Sequence, residues 1–309
     1  MAPLNTHWHI LGAGAIGCLW AAALQQTGCH VSLVSRDARH SQTLQKQLPL
    51  SVQNTDGHSR SCVIPVLEPQ QLHTIDNLLI CTKAHQTRQA IDSVAHAIKP
   101  DSTLVLLQNG MGNQQMLAQK FPNNPVYAAI TTEAVTRLAD LAIAHKAKGL
   151  TRIGPVSQKT DARLTDKLHC TLATQYCDEI ESLLWQKLVI NCCINPLTAL
   201  YDCLNGELAN LPQAQQQIPQ IIAECRSVAQ TQGQHTALVR IEQQVQAVIK
   251  QTAGNSSSMR QDVHHKKHTE IDFINGYIVL MAQQHAIDVP VNQSLLQQIK
   301  SLEHETHKP

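Results

Sequence analysis

The sequence predicts two successive architectures: an α/β domain built on a parallel sheet, then an all-helical domain. Three observations carry this. The segment Gly12-Ala13-Gly14-Ala15-Ile16-Gly17 joins a short apolar run to an Ala/Leu-rich one. Strand and helix patterns then alternate as far as about Cys177. Beyond that point strand signals thin out and apolar residues recur at helical spacing.

Trp8–Leu11 reads as a buried strand, Ala15–Gln26 as a helix, and His30–Val34, after Gly28, as a second strand. A G-x-G-x-x-G run between a strand and a helix is the setting of a dinucleotide-binding turn. Gly12 permits the tight turn, Gly14 lets the backbone approach a pyrophosphate, and Gly17 lets helix and strand pack closely. The free N–H groups of the first helical turn, at Ala15, Ile16 and Gly17, and the positive end of the helix dipole suit phosphate oxygens. The second strand ends in Ser35-Arg36 rather than in Asp or Glu. A carboxylate there repels a ribose 2′-phosphate and a guanidinium pairs with it, so Arg36 favours NADP(H); Asp37, one residue on, weighs the other way.

The alternation continues with strands at Asn77–Thr82, Thr103–Leu107 and Tyr127–Thr132 and a helix over Gln86–Ile98. Ala142–Lys146 and Leu150–Ile153 are expected to form a late hairpin turning at Gly149. Ligands of such sheets lie beyond the carboxyl ends of the strands, where Lys83 and Asn109 fall. Position alone leaves each as a ligand contact or an ordinary loop residue. The fold class expected is an α/β N-terminal Rossmann-type dinucleotide-binding domain, residues 1–177, followed by an all-α C-terminal domain, residues 178–309.

Helices are expected over Glu179–Cys193, Pro212–Gln232, Leu238–Gln251, Asp262–Gln284 and Val291–Glu303. Across Trp185–Leu200, Lys187, Asn191 and then Asn195 recur every four residues within a run of Leu, Val, Ile and Cys. That spacing puts them on one helical face. The face either lines a wet cleft or is simply solvated, and Pro196 is expected to kink or end the helix. His264 and His268 have a spacing that suits a metal, though 17 histidines make the coincidence cheap.

The bulk numbers narrow the function. With 309 residues there is room for two domains, and 43% hydrophobic but only 3% aromatic residues imply an aliphatic core. A net charge of +1 argues against a general nucleic-acid binder. The ten cysteines contain no C-x-x-C pair, which suits free thiols in a reducing compartment. No apolar run reaches the roughly 18 residues of a membrane span. A soluble, cytoplasmic protein is expected.

Several stretches, in order, resemble the ketopantoate reductase family: LGAGAIG at 11–17, TKAHQ at 82–86, LQNGMGN at 107–113, IGP at 153–155, WQKLVINCCINPLTAL at 185–200, and SSMRQDV with TEIDFINGYIV within 257–279. The resemblance implies an oxidoreductase that reduces 2-dehydropantoate to (R)-pantoate with NADPH, a step toward pantothenate and coenzyme A. It implies Lys187 as general acid and Glu270 as the acidic partner that orients substrate and nicotinamide. Asn109, Asn191, Asn195 and Ser258 are implied at the substrate, Asn109 also at the nicotinamide end, and Lys83 and Arg36 at the cofactor. It implies no metal, no nucleic-acid or membrane partner, and a monomer or homodimer. HHKKH at 264–268 then reads as the exposed face of a long helix. Glu133 stands where many relatives have histidine, and Arg260 is a large charge beside Ser258; both leave room for a shifted substrate. Two alternatives stay open: the same chemistry on another branched 2-oxo acid, and a non-catalytic NADP(H)-binding sensor.

Overall fold

The structure is a computed structural model that describes residues 6–35 and 46–306, so Arg36 and Asp37 lie outside the described residues. It divides into two compact units. One comprises the chain up to Gln108 together with Asn113–Ile180; the other comprises Asn109–Gly112 together with the chain from Glu181.

The first unit holds β1 (His7–Leu11), α1 (Ala15–Gln25), β2 (His30–Val34), β3 (Lys46–Gln53), β4 (Ser59–Leu67), β5 (Ile75–Ile80), α2 (Thr87–Val94), β6 (Ile98–Leu107), α3 (Asn113–Lys120), β7 (Val126–Thr131), β8 (Ala134–Ala139), β9 (Ala142–Ala147), β10 (Thr151–Pro155), α4 (Leu164–Lys167) and β11 (Thr174–Tyr176). The strands form one sheet in the order β11-β10-β7-β6-β5-β1-β2-β4-β3-β9-β8. The stretch from β4 to β7 is parallel throughout. It has the strand order of a doubly wound dinucleotide-binding sheet, reversing at β1 between β2 and β5. Strand alternation feeds two cores: Trp8 and Ile10 of β1 join one, and Leu11 joins the other.

The expected late hairpin does not form. β9 pairs with β3 and β8, whereas β10 pairs with β7 and β11. The tight turn lies earlier, between β8 and β9, where Leu141 takes a left-handed backbone with φ of 51°.

The second unit is helical: α5 (Ile180–Leu200, from Glu181 onward), α6 (Pro212–Thr231), α7 (Ile241–Gln251), α8 (Ser258–His264), α9 (Asn275–Gln284) and α10 (Pro290–Thr306). Two helix boundaries differ from expectation: α5 runs past Cys193 to Leu200, and a single helix does not span Asp262–Gln284. Pro196 neither ends α5 nor leaves the carbonyl of Cys192 stranded, because Asn275 Nδ2 donates to that oxygen at 3.3 Å. The helix expected over Asp262–Gln284 is broken after His264. Lys266 takes a left-handed backbone, φ 52°, while Lys267 N–H donates to Asp262 O and Lys266 N–H to Val263 O. That is a Schellman cap with lysine in the place usually held by glycine. HHKKH is therefore a helix end and not a long helical face. No helix of the described residues is long and apolar enough to cross a membrane.

Candidate active site

In the first unit the glycine turn follows β1 and opens α1. Gly12 has a φ of 110°, and a Cβ built on Gly17 would lie 2.1 Å from the Gly12 carbonyl oxygen, so neither position accepts a side chain. A Cβ on Gly14 would meet nothing within 4 Å. Gly14 immediately precedes α1, whose first turn contains no acidic residue. Ala15 and Ile16 are half-buried, and the N–H groups of Ala15, Ile16 and Gly17 lie in that turn. This open space, bare backbone and absence of a first-turn carboxylate fit a dinucleotide pyrophosphate.

Beyond β5, Lys83 is half-buried and leads into a single 3-10 turn, Ala84–Gln86. A buried amide network that the sequence reading did not single out supports this turn. Gln108 Nε2 donates to Thr82 O at 2.8 Å and also meets the Thr87 hydroxyl. Asn113 Nδ2 donates to Ala84 O at 2.9 Å and to Gln108 Oε1 at 3.1 Å. Both amides sit in the LQNGMGN stretch, and buried glutamine or asparagine is kept only where it is hydrogen-bonded. Gln108 directly follows the apolar end of β6, and Asn113 opens α3.

In the second unit the structure brings Asn109, Lys187 and Glu270 together. Asn109 Nδ2 donates to Glu270 Oε2 at 3.2 Å. Met111 N–H donates to Phe273 O at 2.9 Å, which holds the 109–112 segment to the Glu270 turn. Glu270 is buried, with 5% exposure. Burial pulls the Lys187 ammonium down to a pKa of about 8, and the Glu270 charge works in the opposite direction. One turn further along α5, Asn191 is half-buried; Asn195, another turn on, is buried. The polar stripe thus runs from half-buried at Lys187 and Asn191 to buried at Asn195, and none of the three is fully exposed.

Ser258 is exposed at the first residue of α8, while its neighbour Ser257 is the buried cap. Ser257 Oγ accepts from Arg260 N–H at 3.1 Å and lies 2.7 Å from Thr198 Oγ1 on α5. Arg260 is engaged by Asp202, Nε to Oδ1 2.8 Å. His264 meets the same oxygen at 2.7 Å, and His268 reaches Glu303 at 3.4 Å. Among the described residues no group of three or more His, Cys, Asp or Glu is arranged to hold a metal ion.

A half-buried lysine with a pKa of about 8, beside a carboxylate and a row of amides, can polarise a carbonyl and give it a proton. Comparison with known proteins identifies the family. The family described as ketopantoate reductase PanE/ApbA matches residues 8–158, and its C-terminal counterpart matches residues 179–303. A 2-dehydropantoate 2-reductase of Vibrio cholerae is 36% identical over 302 residues, covering 95% of this chain and 97% of the relative. A crystal structure of a PanE/ApbA family ketopantoate reductase from Ralstonia eutropha JMP134 superposes with a TM-score of 0.85 at 25% identity, over 98% of this chain and 100% of that one. D-mandelate dehydrogenase, solved with NADH and anilino(oxo)acetate, shares the fold with a TM-score of 0.89 at 23% identity, over 98% and 100% of the two chains. Both units are matched by one family and a relative aligns along nearly the whole length, so this chain belongs to the ketopantoate reductases.

Proposed function

We propose that the protein reduces 2-dehydropantoate to (R)-pantoate with NADPH, in the route to pantothenate and coenzyme A. The observation that carries the reading is Lys187: an ammonium group whose pKa is pulled to about 8 by burial, facing Glu270. NADPH, when bound, supplies a hydride to C2 of the 2-oxo acid. The π-electron pair of the carbonyl moves onto oxygen, and Lys187 stabilises that developing charge and delivers a proton to it. Glu270, held by Asn109, keeps the lysine charged enough to act as an acid near neutral pH. Asn191, Asn195 and Ser258 contribute hydrogen bonds to substrate oxygens without adding net charge.

Gly12, Gly14, Ala15, Ile16 and Gly17 hold the pyrophosphate, Lys83 and Asn109 hold the nicotinamide half, and Arg36 pairs with the 2′-phosphate. The ten cysteines are all free thiols. That fits a reducing compartment, and we place the enzyme in the cytoplasm.

Purified protein is mixed with NADPH and 2-dehydropantoate, beside other 2-oxo acids and with NADH as control. Rapid loss of NADPH with 2-dehydropantoate, and far slower loss of NADH, is expected. Turnover only on a different 2-oxo acid overturns the substrate and keeps the chemistry. Binding of NADPH with no turnover on any substrate overturns the enzyme.

A further inference from the structure

Pro196 stands inside α5, one residue beyond Asn195, and has no N–H to give to the carbonyl four residues earlier. That carbonyl belongs to Cys192, which is fully buried, so water cannot serve it. Asn275 Nδ2 serves it at 3.3 Å. The same amide donates its second hydrogen to Asn292 Oδ1 at 2.9 Å. Asn292 in turn donates through Nδ2 to Glu224 Oε2 at 2.7 Å. Glu224 also accepts from the backbone N–H groups of Val291 and Asn292 in the first turn of α10, at 2.8 and 2.9 Å. A carboxylate only accepts, so it fixes which end of Asn292 faces it. Asn292 therefore presents oxygen to Asn275, and Asn275 must present nitrogen to both neighbours. The chain of orientations, Glu224 to Asn292 to Asn275 to Cys192, has a single solution. Asn275 and Asn292 are both fully buried.

Asn275 is also joined tightly to Glu270. A single 3-10 turn, Ile271–Phe273, separates them, closed by Phe273 N–H to Glu270 O at 3.0 Å and Ile274 N–H to Ile271 O at 3.2 Å. On the other side, Cys192 directly follows Asn191 on α5. One amide thus ties the turn that carries Glu270 to the helix that carries Lys187. Trp185 and Tyr277, edge to face at 6.0 Å, also pack α5 against α9.

We propose that Asn275 is a positioning residue: its side-chain amide replaces the backbone donor that Pro196 removes from α5, and so fixes Glu270 in register with Lys187 and Asn191. Its catalytic consequence rests on the function proposed above. Nothing in the inference requires Asn275 to touch substrate or cofactor.

Asn275→Ala, Pro196→Ala and the double variant test this. Pro196→Ala restores the N–H that Cys192 O lacks, so it removes the need for Asn275. Asn275→Ala should lower kcat by about tenfold to a hundredfold, with KM for NADPH little changed. The alkaline limb of its kcat profile should move to lower pH as Glu270 falls out of register with Lys187. The double variant should return to within about threefold of the parent. If Asn275→Ala does not fold, recovery of a folded, active protein in the double variant carries the same meaning. A kcat for Asn275→Ala within about threefold of the parent, or a double variant no better than Asn275→Ala, overturns the proposal. If the parent protein does not reduce 2-dehydropantoate, the functional reading fails on its own. The positioning claim is then decided by the pH dependence of Lys187 acetylation in the same four proteins. A shift in Asn275→Ala reversed by Pro196→Ala upholds it, and an unshifted profile overturns it.

Discussion

Asn109 and Glu270 are 161 positions apart in sequence and meet at 3.2 Å, amide nitrogen to carboxylate oxygen. The contact aims a buried carboxylate that also acts on Lys187. Glu270 raises the lysine pKa against the larger downward pull of burial. Replacing it by glutamine keeps the shape and removes the charge. The Lys187 pKa should then fall below about 8, and the alkaline limb of the kcat profile should move to lower pH. Lys187→Ala should lose kcat by on the order of a hundredfold to ten-thousandfold while NADPH still binds. A Glu270→Gln profile that is unchanged, or moved to higher pH, rules out the electrostatic role.

The glycine turn separates folding from binding. Gly14→Ala enters open space and an ordinary backbone region, with φ of −79°. Its thermal midpoint should stay near that of the parent, while its affinity for NADPH drops by about tenfold, because the methyl group occupies the ground that the pyrophosphate approaches. Gly17→Ala collides with the Gly12 carbonyl and should lose stability first. Equal thermal losses in the two variants, read by scanning calorimetry, would refute this division of roles.

What the sequence made legible follows from how local each signal is. β1, the glycine turn and α1 were readable because strand, turn and helix are consecutive, and β2 matched at both ends. The β3–β4 hairpin has a local signal too, since Asp56-Gly57 lies between two alternating runs, a recognised turn signature. The break after His264 was illegible because a lysine, not a glycine, takes the left-handed position. Lys187, Asn191 and Asn195 were legible from their spacing of four on α5. Asn275 was not, since its role depends on a carbonyl 83 residues away. The exposure of Ser258 beside a buried Ser257 likewise depends on Thr198, far along the chain.

Glu133 has a partner. Its Oε2 lies 2.6 Å from His145 Nε2, and both side chains are almost fully buried. Removing one member of such a pair leaves the other buried without its main partner. His145→Ala should cost about 3 kcal/mol or more, read from urea midpoints. Replacing both residues together, by Gln at 133 and Leu at 145, should cost less than His145→Ala alone. A double variant as unstable as the sum of the two single ones would mean that the pair is not coupled.

The thiols should make stability fall at alkaline pH. Burial pushes Cys18 up to about 12 and Cys170 up to about 11, and it raises Cys81, Cys192 and Cys193 as well. In the unfolded chain these thiols ionise from about pH 8.5. Above that pH the folded state binds more protons than the unfolded state, so stability falls as pH rises. The contribution is complete below the unfolded pKa and is lost on the way to the folded values. Lys187 acts in the other sense, because its folded pKa of about 8 lies below its ordinary value and its contribution grows with pH through that window. The raised thiols outnumber the one lysine, so the urea midpoint should fall between about pH 8 and about pH 10. Cys18→Ala should flatten that slope whatever it does to stability at neutral pH. A midpoint that holds steady or climbs across the interval would show that the thiols do not control it.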